Sequence, residues 1–212
     1  FLVLLIFSSC SHKKVIIAHR GASGVLPEHT LEGVAMAHSW GVDFIEPDIV
    51  LSKDGEAIVL HDIYLESTTN VKDLFSKRAR PDGHYYAIDF SLEELKKLQV
   101  SERINPKTGE KVYPKRFPLK KSSFKIPTLK EYIELVQGLN KSTGKNIGLY
   151  PEIKRPSFHK RGGKDITKIV MEVLNSYGYE GRNDKIFVQC FEPETLKRIR
   201  KMNPNIPLVQ LI

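Results

Sequence analysis

Short apolar runs closed by polar or charged residues alternate with stretches of helical periodicity along most of this chain, and that alternation restricts its fold more than any other feature. Residues 15–18 are continuously apolar, the pattern of a strand covered on both faces, and His19-Arg20-Gly21 follow at once. Apolar positions at Leu31, Val34, Ala35 and Ala37 predict a helix over 30–39, which Gly41 stops. Strands follow at 44–51 and 58–60, joined through Lys53-Asp54-Gly55. After a long irregular stretch the rhythm resumes with helix 128–139, strand 147–153, helix 166–177, strand 186–190, helix 194–202 and strand 208–212. Such alternation requires a parallel sheet with helices outside it, an α/β architecture. The turn His19-Arg20-Gly21-Ala22-Ser23-Gly24 lacks the glycine spacing of dinucleotide-binding sheets, so a TIM-type (β/α)8 barrel is the better reading. About six strands can be counted, which makes the barrel incomplete at the C-terminus. An open barrel leaves strand edges unpaired, so poor folding is expected of the chain alone.

Residues 63–123 interrupt the pattern after the third strand. They hold one helical stretch, 92–98, capped by Ser91 with Glu94 three residues on; the rest is polar, aromatic and rich in Lys, Arg and Pro. They read as an insertion across one face of the domain, and connections of this length usually serve a function. The domain itself spans 15–212. Ahead of it, residues 1–7 are an apolar run too short to span a bilayer, followed by Ser8-Ser9-Cys10 and then by polar residues. This predicts a lipoprotein-type signal segment over 1–14 with Cys10 lipidated, hence an exported bacterial protein, periplasmic or membrane-anchored. The formal charge of +8 is spread over stretches such as 111–125 with no basic helix or stacking platform, so no nucleic-acid partner is expected. Cys190, at a buried strand end with no activating neighbour, reads as a small apolar filler.

In a barrel of this kind the chemistry gathers at the C-terminal ends of the strands. The first strand ends in His19-Arg20, the second carries Glu46 and Asp48, the third ends in His61-Asp62, and the strand after the insertion carries Glu152 and Lys154. Glu46 and Asp48 are two apart, so they share a face and suit a common cation; Glu152 and Lys154 repeat the spacing. Burying that many charges costs several kcal/mol or so per ion unless they are paired or hold a metal. Pro47 suggests that the strand ladder is already ending between the carboxylates. A two-residue hairpin at Asp54-Gly55 places Asp48 opposite His61, although a hairpin conflicts with strictly parallel strands. His12, His29, His38, His84 and His159 have no comparable partners and read as structural or solvated.

Ala18-His19-Arg20-Gly21-Ala22, with Pro27-Glu28-His29-Thr30-Leu31-Glu32, resembles the first signature of the glycerophosphodiester phosphodiesterases of the exported bacterial type. Glu46-Pro47-Asp48 through Asp54-Gly55 to Leu60-His61-Asp62 resembles the second. Glu152-Ile153-Lys154 and Val188-Gln189-Cys190-Phe191 resemble later family segments, with Cys190 where serine is common. The resemblance implies metal-dependent hydrolysis of small glycerophosphodiesters to sn-glycerol 3-phosphate and an alcohol. His19 and His61 would be the general acid/base pair, Arg20 and Lys154 would hold the phosphate, and Glu46, Asp48 and Glu152 would bind a divalent cation. All-oxygen ligation favours calcium, or magnesium, over zinc. Two other readings stay open: a phospholipase D-like lipid cleaver, for which the insertion is polar, and a surface lipoprotein with a binding or adhesin role on the same fold. The oligomeric state is left open.

Overall fold

The computed structural model describes residues 14–121 and 123–212; the apolar run 1–7, Cys10 and His12 lie outside the described residues. The strands are β1 (Ile17–His19), β2 (Phe44–Glu46), β3 (Asp48–Leu51), β4 (Ala57–Val59), β5 (Gly148–Leu149), β6 (Glu152–Ile153), β7 (Val188–Cys190) and β8 (Leu208–Gln210). Parallel ladders run β1-β2-β5 and β3-β6-β7-β8, with β4 added antiparallel to β3. β2 and β3, and likewise β5 and β6, are lower and upper halves of shared strands, divided at Pro47 and Pro151, and they join the two ladders. Tyr150 donates its N–H to Ile45 O at 2.9 Å, Glu152 to Pro47 O at 2.8 Å and Lys154 to Ile49 O at 3.0 Å. The ladder therefore runs through Pro47 rather than ending there, short only of the amide that proline lacks. The Gln189 side-chain amide reaches the Tyr150 carbonyl instead, at 3.4 Å.

The hairpin differs from the sequence expectation by one residue. Ile49, Val50 and Leu51 face Val59, Ile58 and Ala57, so Asp48 lies opposite Leu60 rather than His61. Leu60 donates its N–H to Asp48 O at 2.9 Å. The loop has three residues, closed by Ser52 N–H to Glu56 O at 3.0 Å, and Gly55 takes the left-handed conformation (φ +87°) that such loops need. The run read as a third barrel strand is thus an antiparallel return arm, and His61 lies just beyond it.

The helices follow their caps. Thr30 caps α1 (Leu31–Ser39). The short α2 (Val71–Leu74) lies in the insertion. Ser91 with Glu94 forms a reciprocal capping box for α3 (Leu92–Lys97), and Thr128 with Glu131 does so for α4 (Leu129–Thr143). No sequence signal marks α5 (Pro156–Arg161), which starts on proline after Arg155 in the left-handed region and has no side-chain cap. Asp165 caps α6 (Ile166–Ser176), and α7 (Pro193–Met202) leads to β8. The main core joins Ile45, Ile49 and Val188 of the strands to Ile133, Val170 and Ile199 of α4, α6 and α7. The insertion has a core of its own: Leu65, Val71, Phe90, Leu95 and Val100, joined by Phe124 just after it, pack against Val50 and Ile58. Two-sided cover of the first strand is not observed: of residues 15–18 only Ala18 is buried, while Val15, Ile16 and Ile17 are exposed. Among the described residues no helix is long and apolar enough to cross a membrane.

Candidate active site

The strands bring three carboxylates together where their lower and upper halves meet. In the parallel ladder Asp48 faces Glu152, and Glu46 sits two residues before Asp48 on the same face. One ligand oxygen from each of Glu46, Asp48 and Glu152 lies within 4.8 Å of the others, and all three residues are buried. Glu46 accepts the Arg20 amide at 2.9 Å and the Gln189 amide at 3.2 Å. Burial and the neighbouring Asp48 charge push the Glu46 carboxyl above the carboxylate range, and burial followed by Asp48 also raises Glu152. Asp48 goes the other way: against its burial, His29 and then Lys154 hold it well below the usual range. Asp48 Oδ1 is buried with no hydrogen-bond partner, its nearest cation being Lys154 Nζ at 3.6 Å. Three carboxyl groups crowded together, two of them resisting ionisation for want of a counter-charge and the third with an orphaned oxygen, match the donor set that a hard divalent cation would complete.

Cationic side chains close in from two sides. Lys154 Nζ lies 2.7 Å from Glu152, and Arg20 Nε lies 3.5 Å from Asp48. The loop after β1 reaches the triad by strained backbone. Arg20 (φ +59°) and His29 (φ +62°) both adopt the left-handed region, as does Arg155 (φ +45°) on the other side of the site. Such conformations cost of order 1–3 kcal/mol each and cluster where a site over-determines them. Gly21 (φ +75°) lets this turn pack on α1, since a Cβ there would meet the Gly33 backbone at 3.2 Å.

His19 projects from the end of β1, with desolvation and the Arg20 charge lowering its pKa, so the ring is neutral near pH 7. The Asp48 carboxylate opposes this shift, and His29 and His61 add to it. His61 Nδ1 is 2.6 Å from Asp62 Oδ1. Despite burial, the His61 and Arg103 contacts hold Asp62 well below the carboxylate range, so it is acceptor-only and His61 Nδ1 carries the proton. A cavity of about 520 Å³ opens beside this pair, lined by His61, Tyr64, Tyr86, Lys154, Arg155 and Phe158 among others.

Of the histidines set aside in the sequence, His29 belongs to this site. It is buried, with Nε2 2.8 Å from Asp48 Oδ2, and it must be the donor because Asp48 is ionised. No spacing rule singles it out, since it lies in a loop that only the left-handed turn folds back. His38 bonds Asn140, and His84 pairs with Glu66, away from the triad. His159 is buried, with burial and then Lys164 pulling its pKa down to about 4. Cys190 is buried as well, its thiol pushed up to about 11 chiefly by burial. Because His29 orients a candidate ligand, His29→Ala is expected to weaken divalent-cation binding about 10–100-fold. Calorimetric titration with calcium measures this, and an unchanged affinity would detach His29 from the site.

Residues 19–212 match the sequence model of the Glycerophosphoryl diester phosphodiesterase family. The chain is 48% identical over 206 residues to a glycerophosphodiester phosphodiesterase of Haemophilus influenzae, covering 94% of this chain and 57% of that one. It is 40% identical over 212 residues to one of Treponema pallidum, covering 97% and 60%. The chain thus spans somewhat over half the length of these relatives. Among solved structures, a putative glycerophosphoryl diester phosphodiesterase from Silicibacter pomeroyi superimposes with a TM-score of 0.74 at 25% identity, covering 95% of this chain and 66% of that one. A phosphodiesterase of Oleispira antarctica in complex with the product sn-glycerol-3-phosphate gives 0.66 at 26% identity, covering 92% and 64%. The fold is the TIM-type barrel of these neighbours.

Proposed function

The chain belongs to the glycerophosphoryl diester phosphodiesterase family, and from that premise we propose that it hydrolyses glycerophosphodiesters to sn-glycerol 3-phosphate and an alcohol. The observation that carries the reading is the meeting of Glu46, Asp48 and Glu152 within 4.8 Å, flanked by Arg20, Lys154 and two histidines. In this reading Glu46, Asp48 and Glu152 hold calcium or magnesium, which when bound supplies charge relief at the phosphoryl oxygens. Arg20 and Lys154 add fixed positive charge, so the phosphodiester is oriented and its extra charge in the transition state is stabilised by groups already in place. His19, kept neutral, takes the proton from the attacking oxygen. His61 enters the cycle as the imidazolium, its Nδ1–H tied to Asp62, and gives its Nε2 proton to the leaving alkoxide; the proton that His19 took passes to solvent and His61 regains one before the next turnover. The alcohol occupies the cavity beside His61. Arg155, Arg161 and Glu192 line that cavity along with the aromatics, which favours a small polar alcohol over an acyl chain.

The test is product analysis with glycerophosphocholine, following sn-glycerol 3-phosphate with and without a chelator. Glycerol 3-phosphate should accumulate only in the presence of the cation. Release of phosphocholine instead, or no turnover in calcium and magnesium, rejects the proposal.

A further inference from the structure

Arg103 lies in the insertion, far in sequence from every residue discussed for the chemistry, yet its guanidinium touches the partners of two of them. Its Nε and Nη2 donate to Glu28 Oε2 and Oε1 at 3.0 and 2.6 Å, and its Nη1 donates to Asp62 Oδ2 at 2.5 Å. Glu28 in turn accepts Arg20 Nη1 at 3.3 Å, and Asp62 holds His61 Nδ1 at 2.6 Å. One planar group therefore joins the two residues read as phosphate anchor and acid/base. The clamp is largely closed to water, with the Arg103 and Glu28 side chains 15% and 6% exposed. Although burial opposes it, Arg103 draws the Glu28 carboxyl down to about 2.

The backbone behind Arg103 is fixed too. Ser101 and Ile104 donate their N–H groups to Thr68 O and Ser67 O at 2.9 and 2.8 Å, and Val112 donates to Arg103 O at 2.9 Å. Ser67 Oγ adds a bond to Asp62 Oδ2 at 3.0 Å. A lysine could neutralise one of these carboxylates, but a point charge cannot set the angle between two. The rigid fork of arginine does, and that angle fixes how Arg20 and His61 face each other.

We infer that Arg103 is a positioning residue for the proposed reaction, holding Arg20 through Glu28 and His61 through Asp62, so that the insertion forms part of the active site. The inference rests on the phosphodiesterase reading for its kinetic consequences, but the clamp itself has a readout independent of turnover. In Arg103→Met, Asp62 loses its neutralising partner and acts more strongly on His61, whose imidazolium is then stabilised. The other charged and titratable groups that face His61 are His19, Asp48 and Lys154, and across the cavity Arg155, Arg161 and Glu192, all of which the substitution leaves in place.

The experiment compares wild type, Arg103→Met, Arg103→Lys, Asp62→Asn and Glu28→Gln by kinetics on glycerophosphocholine and by NMR titration of the His61 imidazole. Arg103→Met should lower kcat/KM about 10²-fold, the scale of a misplacement near 1 Å, and raise the His61 pKa. Asp62→Asn should reproduce mainly the fall in kcat with a lowered His61 pKa, and Glu28→Gln mainly the rise in KM with His61 unmoved. Arg103→Lys keeps the charge and should still lose most of the rate. If Arg103→Met fails to fold, Arg103→Lys decides, and wild-type kcat, KM and His61 titration in the lysine variant overturn the inference. A wild-type protein without turnover sinks the phosphodiesterase reading instead, while an unmoved His61 pKa in folded Arg103→Met sinks the clamp.

Discussion

Asp48→Asn should abolish the rise in melting temperature that calcium or magnesium gives the unaltered protein, together with its activity. Asp48 lies at the centre of the acidic cluster, facing Glu152 across the ladder, and it is the carboxylate that His29, Arg20 and Lys154 all approach. Asparagine has nearly the same shape and can still accept from His29, so the fold should survive without cation. One charge fewer in the cluster also relieves the repulsion that raises Glu46 and Glu152. What the variant loses is the charge a dication needs. A cation at about 100 times its dissociation constant stabilises the protein it binds by about 2.7 kcal/mol. For a chain of this size that corresponds to roughly 5–10 °C. Thermal melts with and without cation measure the difference. A full calcium- or magnesium-dependent shift in Asp48→Asn would remove Asp48 from the ligand set.

His19→Ala and His61→Ala should each lower kcat about 10²- to 10⁴-fold, the range for a well-placed acid or base, while the cation-dependent melting shift stays intact. The two measurements separate proton transfer from cation binding, because neither imidazole hydrogen-bonds a member of the acidic cluster among the described residues. His19 offers a further sign. Desolvation and Arg20 lower its pKa, so its neutral form persists to lower pH than that of a free imidazole, and the midpoint of the acidic limb of the pH–rate profile should fall below the usual histidine value. His19→Ala with wild-type turnover would remove the acid/base assignment.

Much of this was legible in local chemistry. The two capping boxes, Ser91 with Glu94 and Thr128 with Glu131, form as their spacing requires, because the partners lie within one turn. Glu46 and Asp48 share a face because side chains alternate along a strand, whatever lies beside it. The hairpin register differs by one residue from the sequence expectation: the same Asp54-Gly55 pair closes a two- or three-residue loop, and only packing of both arms chooses. The insertion read as irregular because its core is made of side chains scattered in sequence, which carry no single period.

The chain's own order of residues determined which side chains stand at strand ends, which helices are capped, and that acidic and basic groups would share one mouth of an α/β fold. Those are short-range matters, decided by backbone periodicity and hydrogen bonds within a few residues. Tertiary structure alone decided that His29 folds back onto Asp48 and that Arg103 reaches Glu28 and Asp62 across separations of 75 and 41 residues. Such contacts are set by the docking of one core against another, which brings distant loops to a common surface without marking either one in advance.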